Sequence, residues 1–250
     1  MNNNKGMTLI ELLVAFAISA IILSSLAYFI FTAIGMYNKN GIVVDLQNEA
    51  QITMNQIVDC VMEAEGVVLA YDKREQQTEC VLLGKIYVDE SGTLPVYYYA
   101  GNAMVTNLAK KEMYLASFPN PYSDDNVDYR EVAGRTEGGI TYARMEADDI
   151  NTLVAEVISY ANNNHEICLM AQHVTKCYIR EIEKIATEIQ PFPGEIGEFS
   201  VPFAMQIDLL FEQDYGNGVA TRECSDKAVV RSQIDYIYVN GTKYNREFKK

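Results

Sequence analysis

Tryptophan is absent from these 250 residues, histidine occurs twice, and no proline precedes Pro95. Each shortage excludes something. With two histidines and no G-x-S-x-G, H-E-x-x-H or glycine-rich phosphate loop, the chain offers no evident nucleophile and base pair, so it is expected not to be an enzyme. Without an early proline, nothing kinks or breaks a long N-terminal helix. Cations are scarce as well: 20 Lys and Arg stand against 34 Asp and Glu, a formal charge of −14. Such a surface opposes the phosphate contacts that drive nucleic-acid binding, and no nucleic-acid partner is expected. The one local cluster of cations, Lys243, Arg246, Lys249 and Lys250, reads as a solvated terminal run.

Apolar residues make up 49% of the chain, enough for a proper core, but they are unevenly spread. Residues 12–34 contain no charge at all. A run of that length crosses a bilayer as a helix, which predicts an anchor followed by a polar-rich head. It is longer than the core of a secretory signal and begins almost at once. A plain anchor has no reason to carry Glu11 at its edge, since a carboxylate within an apolar span costs about 2.5–3.5 kcal/mol.

The segment from Lys5 through Gly6, Met7, Thr8, Leu9, Ile10 and Glu11 into the apolar run resembles the class 3 signal of type IV prepilins and type II secretion pseudopilins. The resemblance implies that prepilin peptidase cuts between Gly6 and Met7 and methylates Met7. It also implies that Glu11, fifth in the mature chain, pairs with the new α-amino group of a neighbouring subunit. Physically, Gly6 leaves a protease cleft unobstructed, Lys5 holds the leader on the cytoplasmic face, and the amine relieves the buried carboxylate. Met7 replaces the more usual phenylalanine. The position where many major pilins carry a kinking proline is Tyr28 here, which suits a minor pilin or pseudopilin; the length and late paired strands resemble larger minor pilins of the W/J type. The implied partners are other pilins, the inner-membrane assembly platform and membrane lipid. The implied location is a single-pass cytoplasmic membrane before assembly and a surface filament afterwards.

Beyond residue 34 the pattern becomes amphipathic, with Leu46, Ala50, Met54, Ile57 and Val61 at steps of three or four. One helix is expected from Thr8 to about Glu65, roughly 85 Å long, with Gly66 as its cap and Gly35 and Gly41 as weak points. The domain plan is a leader at 1–6, a helix at 7–65 and an extracytoplasmic head at 66–250. Strands are expected at 67–71, 80–88, 95–100, 167–174 and 178–186, with a hairpin of 203–211 and 229–239. A second helix starts at Asp148 or Asp149 and ends in the Asn162–Asn164 run; 118–139 and 190–197 read as loops. The fold class is α+β, a helical spine packed on an antiparallel sheet, similar to the pilin roll.

Other constellations carry weaker chemistry. His165, Cys168, His173 and Cys177 are all zinc-ligand types, but their spacing fits no finger or ribbon. A Cys168–Cys177 disulfide across a hairpin competes with buried free thiols, and with five cysteines at least one is unpaired within the chain. Asp124, Asp125 and Asp128 bunch their oxygens as calcium loops do, without EF-hand spacing, so a solvated turn is favoured and no cofactor is expected. In Tyr97, Tyr98 and Tyr99 the outer two share one strand face. An adhesive or binding head on the same anchor is the alternative function, and an anchored enzyme a more distant one.

Overall fold

The computed structural model describes residues 8–72, 77–90, 92–118, 136–137, 140–141, 145–182, 204–216, 218–231, 234 and 236–243. A single helix, α1 (Leu9–Met62), forms the spine. It runs unbroken through Gly35 and Gly41, where an added Cβ would meet nothing within 4 Å. All of its buried residues lie in the upper part, from Leu46 to Val61, and the most apolar stretch, of mean hydropathy 2.4, is wholly exposed. The helix ends at Glu63, whose N–H donates to the Asp59 carbonyl, while the Ala64 N–H donates to the Val61 carbonyl. Gly66 is therefore not the cap: it opens the first strand.

Strands β1 (Gly66–Tyr71), β2 (Thr78–Asp89), β3 (Val96–Asn107) and β4 (Glu112–Phe118) form an antiparallel meander. Short strands β5 (Thr136–Glu137) and β6 (Ile140–Thr141) extend it beyond β4, and β7 (Met145–Ala147) pairs with β3. Next come α2 (Ile150–Asn163), α3 (His165–Cys168) and β8 (Leu169–Ala171), which pairs with β4. A second sheet follows, β9 (Val174–Glu181), β10 (Ala204–Tyr215) and β11 (Gly218–Val229), in the order β11-β10-β9. The chain then returns to the first sheet: β12 (Tyr236–Val239) pairs parallel to β1, and β13 (Thr242–Lys243) pairs with β12. The result is the expected α+β architecture, with a long helix against largely antiparallel sheets.

Two cores sandwich the large sheet. On one side Leu46, Met54, Ile57 and Val61 of α1 pack with Val67 and Leu69 of β1 and with Ile179, Ile207 and Phe211 of the second sheet. On the other, Val68, Leu82, Tyr99 and Tyr114 pack with Leu153, Val154 and Val157 of α2. Covering both faces explains the unbroken apolar run of β1, since a strand buried on both sides does not alternate with polar residues. The helix α2 starts at Asp149, whose carboxylate accepts from the Thr152 N–H, as its N-cap position predicts. Half-buried Tyr97 and buried Tyr99 share the α2 face, and Tyr98 is buried on the other.

Side chains stitch the two sheets together where the backbone ladder stops. β9 is an edge strand whose outward N–H groups are met by the start of β2 and the residue before it: Gln77 Oε1 accepts from Cys177 N at 3.3 Å, and Thr78 Oγ1 accepts from Ile179 N at 2.7 Å. The Tyr71 hydroxyl donates to the Ile179 carbonyl at 2.9 Å. Further along, β2 and β3 approach so closely at the Gly84–Gly101 pair that a Cβ on Gly84 would sit 2.1 Å from the Ala100 oxygen. Gly101, at φ +139°, adopts a conformation that side chains disfavour.

Several expectations need correction. Residues 167–174 are not one strand: Asn164 seeds the short α3, and a bend at Gln172 and His173 separates β8 from β9. The final hairpin pairs β10 with 218–229, not 229–239, because a tight turn at Gly216 (φ +58°) brings the next twelve residues directly into register. The apolar 236–239 segment is instead drawn to the edge of the large sheet. The Asn240–Gly241 pair, both at positive φ, then supplies the two-residue turn into β13.

Candidate assembly site on the spine helix

The first turn of α1 is held by a reciprocal capping box. Thr8 is the N-cap; its Oγ1 accepts from the Glu11 N–H at 3.3 Å, while Glu11 Oε2 accepts from the Thr8 N–H and hydroxyl, each at 2.9 Å. Thr8 is thus a capping residue, and Thr-x-x-Glu before an apolar run is a capping signature legible in the sequence. Both bonds fall on Oε2; among the described residues Oε1 accepts none. The carboxylate is thus oriented by its own helix, with Oε1 left unbonded among the described residues. Lys5, Gly6 and Met7, where processing is expected, lie outside the described residues.

Above this turn the span is adapted to an apolar surround. Leu9, Phe16, Ile21, Phe29 and Phe31 are all more than two-thirds exposed. The hydroxyls of Ser19, Ser24, Ser25 and Thr32 donate to the carbonyls of Ala15, Ile21, Ile22 and Tyr28, so none presents an unsatisfied donor. Lipid offers no partner for such groups, and bonding back to the helix removes the cost.

The other candidate residues are not brought together. His165 is exposed on α3, Cys168 is buried in the α2 core, and Cys177 is buried in the α1 core. His173 Nδ1 lies 3.3 Å from Glu49 Oε2 of α1. No group of three or more His, Cys, Asp or Glu able to hold a metal occurs among the described residues. Cys168 and Cys177 are free thiols in separate cores, so the hairpin disulfide is not formed; the α3 turn carries Cys168 to the opposite face of the large sheet. Burial pushes every thiol up, Cys60 to about 11 with help from the Glu63 and Asp59 charges, Cys224 to about 11 and Cys177 to about 12. None has the depressed pKa of a reactive cysteine. Asp124, Asp125 and Asp128 lie outside the described residues.

Residues 1–27 match the family model of the prokaryotic N-terminal methylation motif. No curated protein and no solved structure matches the chain. The motif supports a type IV pilin-like class 3 signal on a precursor processed by prepilin peptidase. Together with the bare apolar helix behind it, this is consistent with a membrane-anchored precursor and a surface filament.

Proposed function

We propose that the chain is a minor pilin or pseudopilin, a structural and assembly subunit of a type IV pilus or type II secretion-like filament rather than an enzyme. One observation carries this reading: a folded head is fused to a helix whose lower half has no covering among the described residues and is headed by a pre-oriented carboxylate. Such a helix is stable in lipid and, after extraction, only against other helices. Prepilin peptidase removes residues 1–6 and methylates Met7. The cut leaves the Thr8 amide a peptide N–H, so the capping box survives and Glu11 Oε1 receives the α-amino group of the next subunit. The large acidic head suits low-abundance use at a tip or in an initiating complex.

Mass spectrometry of sheared filaments tests the proposal twice. The native chain should begin with N-methylated Met7 and should be a trace component, and Glu11→Ala should remove it from filaments while leaving it in the membrane. A chain that retains its asparagine tract, or that dominates the shaft, contradicts the reading.

A further inference from the structure

Between the middle of α1 and the closed end of the β10–β11 hairpin runs an open groove of about 960 Å³. Its lower wall is Thr32, Gly35 and Met36, the last turns of the uncharged run; its upper wall carries Lys39 and Asp45, and the hairpin tip contributes Asp214 and Tyr215. Glu11 and Lys39 are consecutive charges along the helix. At about 1.5 Å per residue the helix rises roughly 42 Å between them, which matches a bilayer with both headgroup layers, about 40–45 Å. With residues 12–34 across a bilayer, Lys39 falls in the headgroup layer of the leaflet facing the head.

The hairpin reaches the same level. β10 and β11 lie along α1, and the Arg231 N–H, just beyond β11, donates to the Met62 carbonyl at the top of the helix. At the bottom, Lys39 Nζ lies 5.5 Å from the centroid of the Tyr215 ring. Around the tip, Tyr37 is 79% exposed and Val219 52%. Tyrosines with an apolar body and a polar end favour the membrane–water interface. The charges in the groove are of both signs: one ammonium faces a phosphate well, and two carboxylates suit an amine while repelling a purely anionic headgroup.

We propose that this groove seats the headgroup of an amine-bearing zwitterionic phospholipid, its phosphate on Lys39 and its ammonium between Asp45 and Asp214. The head thereby rests on the bilayer before assembly. The proposal depends on residues 12–34 spanning the membrane.

Because the chain has no tryptophan, a single introduced one is an unambiguous reporter. The full chain is reconstituted into vesicles of phosphatidylethanolamine and phosphatidylcholine, with a nitroxide on the headgroup or deep in the acyl chain. Tyr215→Trp, and independently Val219→Trp, should be quenched by the headgroup label at least threefold more strongly than Tyr178→Trp on the neighbouring β9, whose partner Asp208 lies roughly 23 Å along β10 from Tyr215. Phe29→Trp reports the span and should be quenched by the deep label. Exchanging phosphatidylethanolamine for phosphatidylglycerol should reduce tip quenching several-fold, and Asp45→Asn with Asp214→Asn should abolish that difference. Quenching of Phe29→Trp without quenching at either tip position overturns the proposal but leaves the span intact; failure at Phe29 as well overturns the span itself. Equal tip quenching in both lipids overturns headgroup recognition. Tip shielding that grows with protein density overturns it in favour of a second copy of the chain.

Discussion

Replacing threonine by valine keeps a side chain's shape and removes its hydroxyl, and two buried threonines here should respond with opposite signs. Thr78 is 1% exposed; its Oγ1 accepts from Ile179 N at 2.7 Å and lies 3.3 Å from the Ile179 carbonyl, to which it donates. In Thr78→Val the carbonyl keeps the Tyr71 hydroxyl, but the Ile179 N–H, on the edge of β9, loses its partner. An orphaned buried donor costs about 1–3 kcal/mol, so a loss of about 2 kcal/mol is expected. Thr53 is fully buried on α1, and its hydroxyl has no hydrogen-bond partner among the described residues. There valine removes an unsatisfied polar group and leaves no hole, so Thr53→Val should stabilise by about 1 kcal/mol. Urea titration of the full chain in a mild detergent, followed by tyrosine circular dichroism in the near ultraviolet, reads both midpoints. The same sign in both variants would refute the hydrogen-bond reasoning, because the two substitutions are chemically identical and differ only in what the hydroxyl meets.

Other consequences are testable in the same preparation. Thr8→Ala should destabilise the first turn of α1 by about 1 kcal/mol, seen as several-fold faster hydrogen exchange at residues 9–12 with the head unaffected. Gly84→Ala should prevent normal pairing of β2 and β3, lowering stability by more than about 3 kcal/mol, whereas Gly41→Ala, where the added methyl meets nothing, should strengthen the local helix by about 1 kcal/mol. The thiols of Cys60 and Cys224 are held up at about 11, above their unfolded value of about 8.5. Their contribution to stability is therefore complete below about pH 8.5 and lost as pH rises through about 11, so the urea midpoint should fall across that window and Cys→Ser variants should flatten the fall. Iodoacetamide labelling of the folded chain at pH 7 should accordingly be slow at both positions.

Local pattern alone determined the signal, the length of α1, the register of its buried stripe, α2 with its Asp149 cap, and the positions of β1, β2 and the start of β10. Each depends on residues within a few positions of one another, where helical period, chain-end chemistry and apolar runs act directly. The capping partnership of Thr8 and Glu11 was equally local and equally legible. Only the tertiary structure decided which strands pair. The 218–229 segment, rich in charge, is a strand because a tight turn delivers it to β10, and 236–239 leaves that hairpin because the edge of β1 is open to it. The same non-local packing separates Cys168 from Cys177 and recruits Thr78 and Gln77 to the backbone of β9. It also lowers the hairpin tip to the level of Lys39. Pairing across a hundred or more residues is governed by which edges and faces remain uncovered once the local elements have formed, and no short window of sequence contains that information.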